Sequence, residues 1–305
     1  MAINSIEYAK LMMTKLDQHA VNSLTSGWME ANAGQVIYNG GDEVKIPTMS
    51  TVGLADYDRD NGFVQGGVTL KYNTYKMTQD RGRTFQLDAM DVDESGFVAT
   101  SANLIKTFQE EQVVPEIDSY RYSKLADICI KANQSEAVAL TADNVLSKLR
   151  EHMRAINDVI GIDKKLIITM PSNILALLED SPKIGKSINV SEFKQGNLNF
   201  RVKSIDDNPI IVVPSARLKT KYDLQDGKTS GQEAGGLKAA ADAKDINYLI
   251  TPQNVPLAIS KTDKLRLFTP DVNQKADAWK IDFRKYHDLW VLENKKNQLF
   301  VCVKG

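Results

Sequence analysis

The sequence predicts an α+β protein in which long elements project from an α/β body. Three observations carry this. Strand-like runs flank Asp80-Arg81-Gly82-Arg83 inside Val64 to Glu94, and an apolar stripe from about 93 to 131 reads as one long helix. Beyond Thr141, helical patterns alternate with short β-branched runs.

Residues 1 to about 45 read as an arm. Ile6, Leu11, Leu16 and Val21 suggest one or two amphipathic turns, and Gly34, Gly40 and Gly41 then break any helix. Val44-Lys45-Ile46-Pro47 reads as a short strand closed by its proline. Such an arm has few core residues and must pack against its own body or a neighbour.

Thr51 to Gly67 reads as a polar loop leading into a hairpin from Val68 to about Asp88, with its tight turn at Asp80-Arg81-Gly82-Arg83. At about 3.3 Å per residue the ribbon extends roughly 35 Å. Two strands that long are marginal alone in water, so the ribbon is expected to lie on a neighbouring subunit. Leu70 and Tyr72 fall on one side, Tyr75 and Met77 on the other. With Phe85, Leu87, Arg81 and Arg83 they are the candidate inter-subunit contacts. A ribbon apolar on both faces must be sandwiched.

Asp91-Val92-Asp93-Glu94 is a capping-box-like helix start. Phe97, Leu104, Ile105 and Phe108 keep one face toward a core. Pro115 marks a kink or the first turn of a second helix, followed by acid at Glu116 and Asp118. Ile117, Tyr120, Leu125 and Ile128 continue the apolar face. Residues 93–131 as a helix would run roughly 55 Å at 1.5 Å per residue.

In the α/β region Val145, Leu149, Met153, Ile156 and Ile160 form a helical stripe that Gly161 ends. Leu166 to Met170 reads as a buried strand, and Pro171-Ser172 starts a short helix with Ile174, Leu177 and Leu178 inward. Leu198 to Val202 and Ile210 to Val213 are strands around the turn Asp206-Asp207-Asn208-Pro209. Residues 219–245 are poor in large apolar side chains and read as an exposed, mobile loop with a short Ala-rich helix at its end. Strands follow at Ile246 to Ile250, Ala258 to Ser260, Leu265 to Phe268, Trp279 to His287, Leu289 to Glu293 and Leu299 to Val303.

The 305 residues carry a net charge of −1, which argues against strong nonspecific nucleic-acid binding through uncompensated Lys and Arg. No apolar run approaches membrane-spanning length, and the N-terminus lacks a signal-peptide core. Cys129 and Cys302 are expected as buried free thiols of a reducing compartment.

The chemical constellations have plainer explanations. Gly227-Lys228-Thr229 imitates the tail of a phosphate loop, but Tyr222 stands where a glycine is required. Asp56-Tyr57-Asp58-Arg59-Asp60-Asn61-Gly62 imitates a calcium loop without its glycine and bidentate glutamate, and reads as a polar turn; a weak cation site there stays open. His19, His152 and His287 lie in unrelated segments and form neither a zinc site nor a triad. Asp88, Asp91, Asp93 and Glu94 are explained by a helix start. No catalytic residue, metal or cofactor is expected. An α/β enzyme with a lid at 219–245 is disfavoured because no His or Cys constellation is usable.

Three stretches, in order, carry a resemblance. They are Asp80-Arg81-Gly82-Arg83-Thr84-Phe85 with Asp88-Ala89-Met90-Asp91, Val113-Val114-Pro115-Glu116-Ile117-Asp118-Ser119-Tyr120-Arg121 with Lys124-Leu125-Ala126, and Arg284-Lys285-Tyr286-His287-Asp288-Leu289. Together the chain resembles the tailed-phage major capsid proteins of the Hong Kong 97-type fold, in the form found in phages and prophages of Gram-positive bacteria. The resemblance implies an N-terminal arm over 1–47, a long β-hairpin extended loop over 48–90, a peripheral domain with a spine helix over 91–140 and 270–305, and an α/β apical domain over 141–269. It implies a structural protein rather than an enzyme. Copies form pentamers and hexamers and then an icosahedral shell around double-stranded DNA, held non-specifically. A separate scaffolding protein and a portal are expected partners, since the family-like arm begins almost at Met1. The place is the virion, assembled in the bacterial host cytoplasm, with no membrane. The crosslinking lysine of some relatives is not carried over to Lys71 or Lys76. An encapsulin-like nanocompartment shell is the alternative.

Overall fold

The computed structural model describes residues 24–35, 37–38, 43–60, 62–88, 90, 104–162, 164–182, 188–195, 198–273 and 275–305. The arm turns predicted before residue 22 and the helix start at 91–94 lie outside these residues.

A 3₁₀ run, Gly27–Gln35, opens the described chain. Strands β1 (Ile37–Tyr38), β2 (Glu43–Thr51) and β3 (Val68–Lys76) form one antiparallel sheet in that order. Strand β4 (Gln79–Asp88) follows, and residues 104–108 are helical. A π-turn, Gln109–Val113, leads into α1 (Val114–Lys131). Next come β5 (Ser135–Ala137), α2 (Val145–Ile160), β6 (Leu166–Pro171) and α3 (Ser172–Glu179). The remaining strands are β7 (Ile188–Gln195), β8 (Leu198–Ile205), β9 (Asn208–Val213), β10 (Tyr222–Gln225) and β11 (Gly236–Ala239), then β12 (Ile246–Pro252), β13 (Leu257–Phe268), β14 (Ala278–Trp290) and β15 (Phe300–Val303).

The body is a seven-stranded sheet, β5-β15-β12-β6-β9-β8-β7. Strands β6 and β12 are buried along their whole length, as expected of strands covered on both faces. Alternate side chains enter two cores. Ile167, Leu249, Val301 and Val303 face Tyr122, Leu125 and Cys129 of α1, together with Trp28 and Met29 of the arm. Ile168, Met170, Ile250 and Cys302 face Leu149, Met153 and Ile156 of α2 and Ile174 and Leu178 of α3. Gly161 ends α2 at φ +86°, as its position predicts. The tight turn between β8 and β9 has Asp206 and Asp207 both at positive φ, the two-residue type I′ geometry that suits strand twist.

Helix α1 is the hub. Pro115 sits in its first turn, immediately after the π-turn in which the Val114 N–H donates to the Gln109 carbonyl. The wider turn gives the proline ring room that a regular turn denies it. The chain is therefore helical from 104 to 131, about 40 Å at 1.5 Å per residue. Asp118, fully buried, accepts from the backbone N–H and hydroxyl of both Thr25 and Ser26, and from Arg217 at 3.1 Å. Arg121 donates to Ser26 O and pairs with Glu30. Burial raises the Glu30 pKa, but the Arg121 charge and hydrogen bond outweigh it and hold the carboxyl below its usual range. On the opposite side Tyr120 (2.6 Å) and Lys124 both donate to Asp288 of β14.

The predicted hairpin is corrected. Strands β3 and β4 do not pair with each other. Strand β3 pairs with β2, from Glu43↔Lys76 to Thr51↔Val68, while β4 pairs with β14, from Gln79↔His287 to Asp88↔Ala278. Asp80-Arg81-Gly82-Arg83 is the middle of a strand. A Cβ on Gly82 would stand 2.7 Å from the Phe283 carbonyl oxygen, so this glycine serves a close approach between strands and not a turn. The true ribbon is β2–β3, joined by residues 52–67. Pro47 lies inside β2 beyond the reach of the two-residue β1, where a strand tolerates the missing N–H.

The mobile-loop expectation for 219–245 is also corrected. Strands β10 and β11 form a hairpin there, and no helix is present at its end. Arg81 donates to the carbonyls of Gln225 and Gly236, pinning the hairpin to β4. Lys219–Asp245 and Lys221–Asp242 close its base.

Candidate interaction surface

The register of β2 and β3 sorts the ribbon into two faces. Val44↔Tyr75 and Ile46↔Asn73 share one face. At the ribbon base this face packs on Met77, Leu257, Tyr286 and Trp290, with Val44 and Ile46 fully buried. Pro47↔Tyr72, Met49↔Leu70 and Thr51↔Val68 share the other face. There Met49 is 64% exposed, Leu70 53% and Tyr72 51%. Cross-strand apolar pairs stabilise a sheet when something covers them; here water does.

The tip extends this patch. Val52, Leu54, Tyr57, Phe63 and Val64 are all exposed, and the Tyr57 and Phe63 rings meet at 4.9 Å. Between them Asp58 and Gly62 exchange backbone hydrogen bonds across a turn, and Gly62 takes φ +82°. The calcium-like motif is thus a tight turn. Among the described residues no group of three His, Cys, Asp or Glu side chains is placed to hold a metal ion.

The eight candidate contacts divide. Leu70 and Tyr72 lie on the uncovered face. Tyr75 is half-buried against Trp290, at a ring separation of 5.9 Å, and Met77 is buried in the same cluster. Phe85 packs edge-on against Phe108 at 4.9 Å and belongs to the cluster of Ile105 and Ile281. Leu87 is half-buried on β4 opposite Trp279. Arg81 forms a two-pronged ion pair with Glu116, and Arg83 donates to the Glu233 carbonyl. Six of the eight are therefore placed among the chain's own residues. Sequence reasoning missed Val52, Leu54, Tyr57, Phe63 and Val64, because 51–67 read as a polar loop, and Met49, because the strand before it read as closed by Pro47. The apolar residues spread through that loop were the available signal.

The other titratable groups are structural. His152 donates or accepts at Tyr248 OH (2.8 Å), meets Glu136 at 2.7 Å and stacks on Phe300. His287 packs edge-on against Tyr120. Burial lowers both pKa values, and for His287 nearby Arg121, Lys285 and Lys124 push further in the same direction. Asp226 accepts from the backbone of Lys228 and Thr229 and from the Thr229 hydroxyl, which lowers its pKa to about 2. The phosphate-loop mimic is this hairpin turn. Asp88 accepts from the Met90 N–H at the end of β4; Asp91, Asp93 and Glu94 lie outside the described residues, as does His19. Cys129 and Cys302 are buried and unbridged, as expected, in the cores on opposite faces of the large sheet. Among the described residues no helix is long and apolar enough to cross a membrane.

Solved structures from bacteriophages are similar to this fold. The asymmetric unit of the bacteriophage PhiM1 mature capsid matches with a TM-score of 0.56 at 14% identity, over 88% of this chain and 83% of that one. Microbacterium phage Oxtober96 matches with a TM-score of 0.57 at 11% identity, over 90% and 91%. The capsid structure of Staphylococcus phage Andhra matches with a TM-score of 0.55 at 9% identity, over 88% and 82%. No protein-family model and no curated protein matches the sequence. The chain has the α+β fold of phage capsid structures, as the resemblance implied.

Proposed function

We propose that this chain is the major capsid protein of a tailed bacteriophage, and that its copies assemble into capsomers and an icosahedral shell around double-stranded DNA. The observation that carries this reading is the uncovered apolar face of the β2–β3 ribbon, in a chain whose fold is that of phage capsids. Full burial of a large apolar side chain is worth about 1.5–3 kcal/mol, and Met49, Leu70 and Tyr72, each more than half exposed, leave a good part of it unrealised within one copy. Association supplies the rest, and each added neighbour stabilises the folded subunit.

In this reading β2–β3 is the extended loop, 104–131 is the spine, and β13-β14-β4 is the core of the peripheral domain. The apical domain is then the seven-stranded sheet with α2 and α3, a unit that takes in β5 and β15 and leaves β13, within the expected 141–269, to the peripheral sheet. Leu70 and Tyr72 are inter-subunit contacts. A scaffolding protein and a portal act with the shell, the chain resides in the virion, and assembly takes place in the host cytoplasm. Near-neutral charge leaves the genome free to exit. Negative-stain electron microscopy of the chain expressed with its genomic neighbours tests this. Shells of uniform diameter holding nuclease-protected DNA are expected. A stable monomer, or shells filled with a protein cargo, would overturn the reading.

A further inference from the structure

Strand alternation sends Arg81, Arg83 and Phe85 of β4 and Phe283, Lys285 and His287 of β14 to one side of the pair. The helical 104–131 segment and the β10–β11 hairpin stand around that side and enclose a cleft of about 550 Å³. Small-molecule sites span roughly 300–1,000 Å³ and combine an apolar lining with a few convergent polar groups.

The groups along this cleft follow an order. At one end Phe85 and Phe283 meet Phe108 edge-on, with ring separations of 4.9 and 5.7 Å. Beside them the rim is cationic. Arg83 is the register partner of Phe283, and Lys228 lies at the hairpin turn, both exposed. The lining carboxylates are engaged: Glu116 pairs with Arg81, Asp80 with Arg284, and Asp226 accepts from the backbone of Lys228 and Thr229. The far end is polar. His287 follows Phe283 on the same face of β14, about 13 Å away at some 3.3 Å per residue. It lines the cleft at 3% exposure, and its Nδ1 has no hydrogen-bond partner among the described residues. Burial and nearby cations hold the ring neutral, so it offers one donor and one acceptor. A buried polar atom left unpaired is costly, and a ligand group that reaches it removes that cost.

We propose that this cleft binds an elongated aromatic carboxylate of small-molecule size. Its ring packs on Phe85, Phe108 and Phe283, its carboxylate meets Arg83 and Lys228, and a hydroxyl at its far end bonds to His287. The site belongs to the single folded chain and does not depend on the self-assembly reading.

Calorimetric titration of the full-length, dissociated chain tests this. The probe is 4′-hydroxybiphenyl-4-carboxylate. It is compared with 4-hydroxybiphenyl, which lacks the charge, and with biphenyl-4-carboxylate, which lacks the hydroxyl. The probe is expected to bind with a dissociation constant below about 1 mM, and at least about tenfold more tightly than 4-hydroxybiphenyl. Lys228→Gln, changed at an exposed position, is expected to keep the unfolding midpoint and weaken the probe at least about fivefold, with 4-hydroxybiphenyl unaffected. His287→Phe is expected to erase the advantage of the probe over biphenyl-4-carboxylate; if that variant does not fold, Lys228→Gln carries the test. Equal binding of the three compounds would mean adsorption to exposed apolar surface and would overturn the proposal. So would undiminished binding to Lys228→Gln, or no binding by the wild-type chain. None of these outcomes bears on the capsid reading, which fails only if no shells form.

Discussion

The seven-stranded sheet and the β2–β3 ribbon are built from the same kinds of residue, yet one is satisfied within the chain and the other is not. In the sheet, Ile168 and Ile250 meet α2 and α3 while Ile167 and Leu249 meet α1, so both faces of β6 and β12 are closed. In the ribbon, Val44 and Ile46 close one face at the base, and the Met49–Leu70 and Pro47–Tyr72 pairs leave the other open. Apolar alternation specifies a strand in both cases. What differs is whether the chain supplies a covering layer, and where it does not, an apolar face is left open.

The sharpest test is to create a cavity where the layers close. Ile168→Ala empties a fully buried site and is expected to cost about 2–5 kcal/mol, read as a lowered urea midpoint. A loss under about 1 kcal/mol would mean the sheet is less tightly covered than its burial indicates.

Next comes the polar hub. Asp118→Ala removes the acceptor for Thr25, Ser26 and Arg217 and leaves buried donors unpaired. About 2–3 kcal/mol is expected, together with faster proteolysis near residue 25, because Asp118 is what holds Thr25 and the Ser26 N–H to α1.

The contrast between these regions also explains what was legible from sequence. Helix α2, its Gly161 stop, strand β6 and the 206–207 turn were all readable, because local periodicity and turn chemistry decide them. The partner of β3 was not. Hairpin logic favoured the nearer segment, with Gly82 as its turn, but β14 claims β4 from some two hundred residues away. A glycine needed for close approach and one needed for a turn look alike in one dimension. The hairpin at 222–239 was missed because its order comes from Arg81 and from Asp226, not from apolar content.

Acid provides the third test. His152 and His287 are held neutral by burial, so both bind protons less readily in the folded chain than in the unfolded one. Their contribution is complete above the unfolded value of 6.5 and is lost as the pH falls below it toward their depressed folded values. Stability of the isolated subunit is expected to drop by up to about 1.4 kcal/mol per pH unit for each histidine. His287→Gln is expected to flatten that slope, measured by urea unfolding at about pH 7.5 and about pH 5.5. An unchanged slope would place the acid sensitivity elsewhere.

The smallest expected effect on folding is the most informative about the ribbon. Leu70→Ser with Tyr72→Ser changes two side chains on the uncovered face, each more than half exposed. Surface changes of this kind usually stay within about 0.5 kcal/mol, so the urea midpoint of the subunit should hardly move. In the proposed capsid reading particle yield should collapse, because there a second copy is what covers these two residues. The paired control is Val44→Ser on the covered face, which should lower the midpoint before it affects assembly. If both faces behaved like Val44, the ribbon would be folded back on its own body in solution. The distinction between a closed sheet and an open ribbon would then be lost.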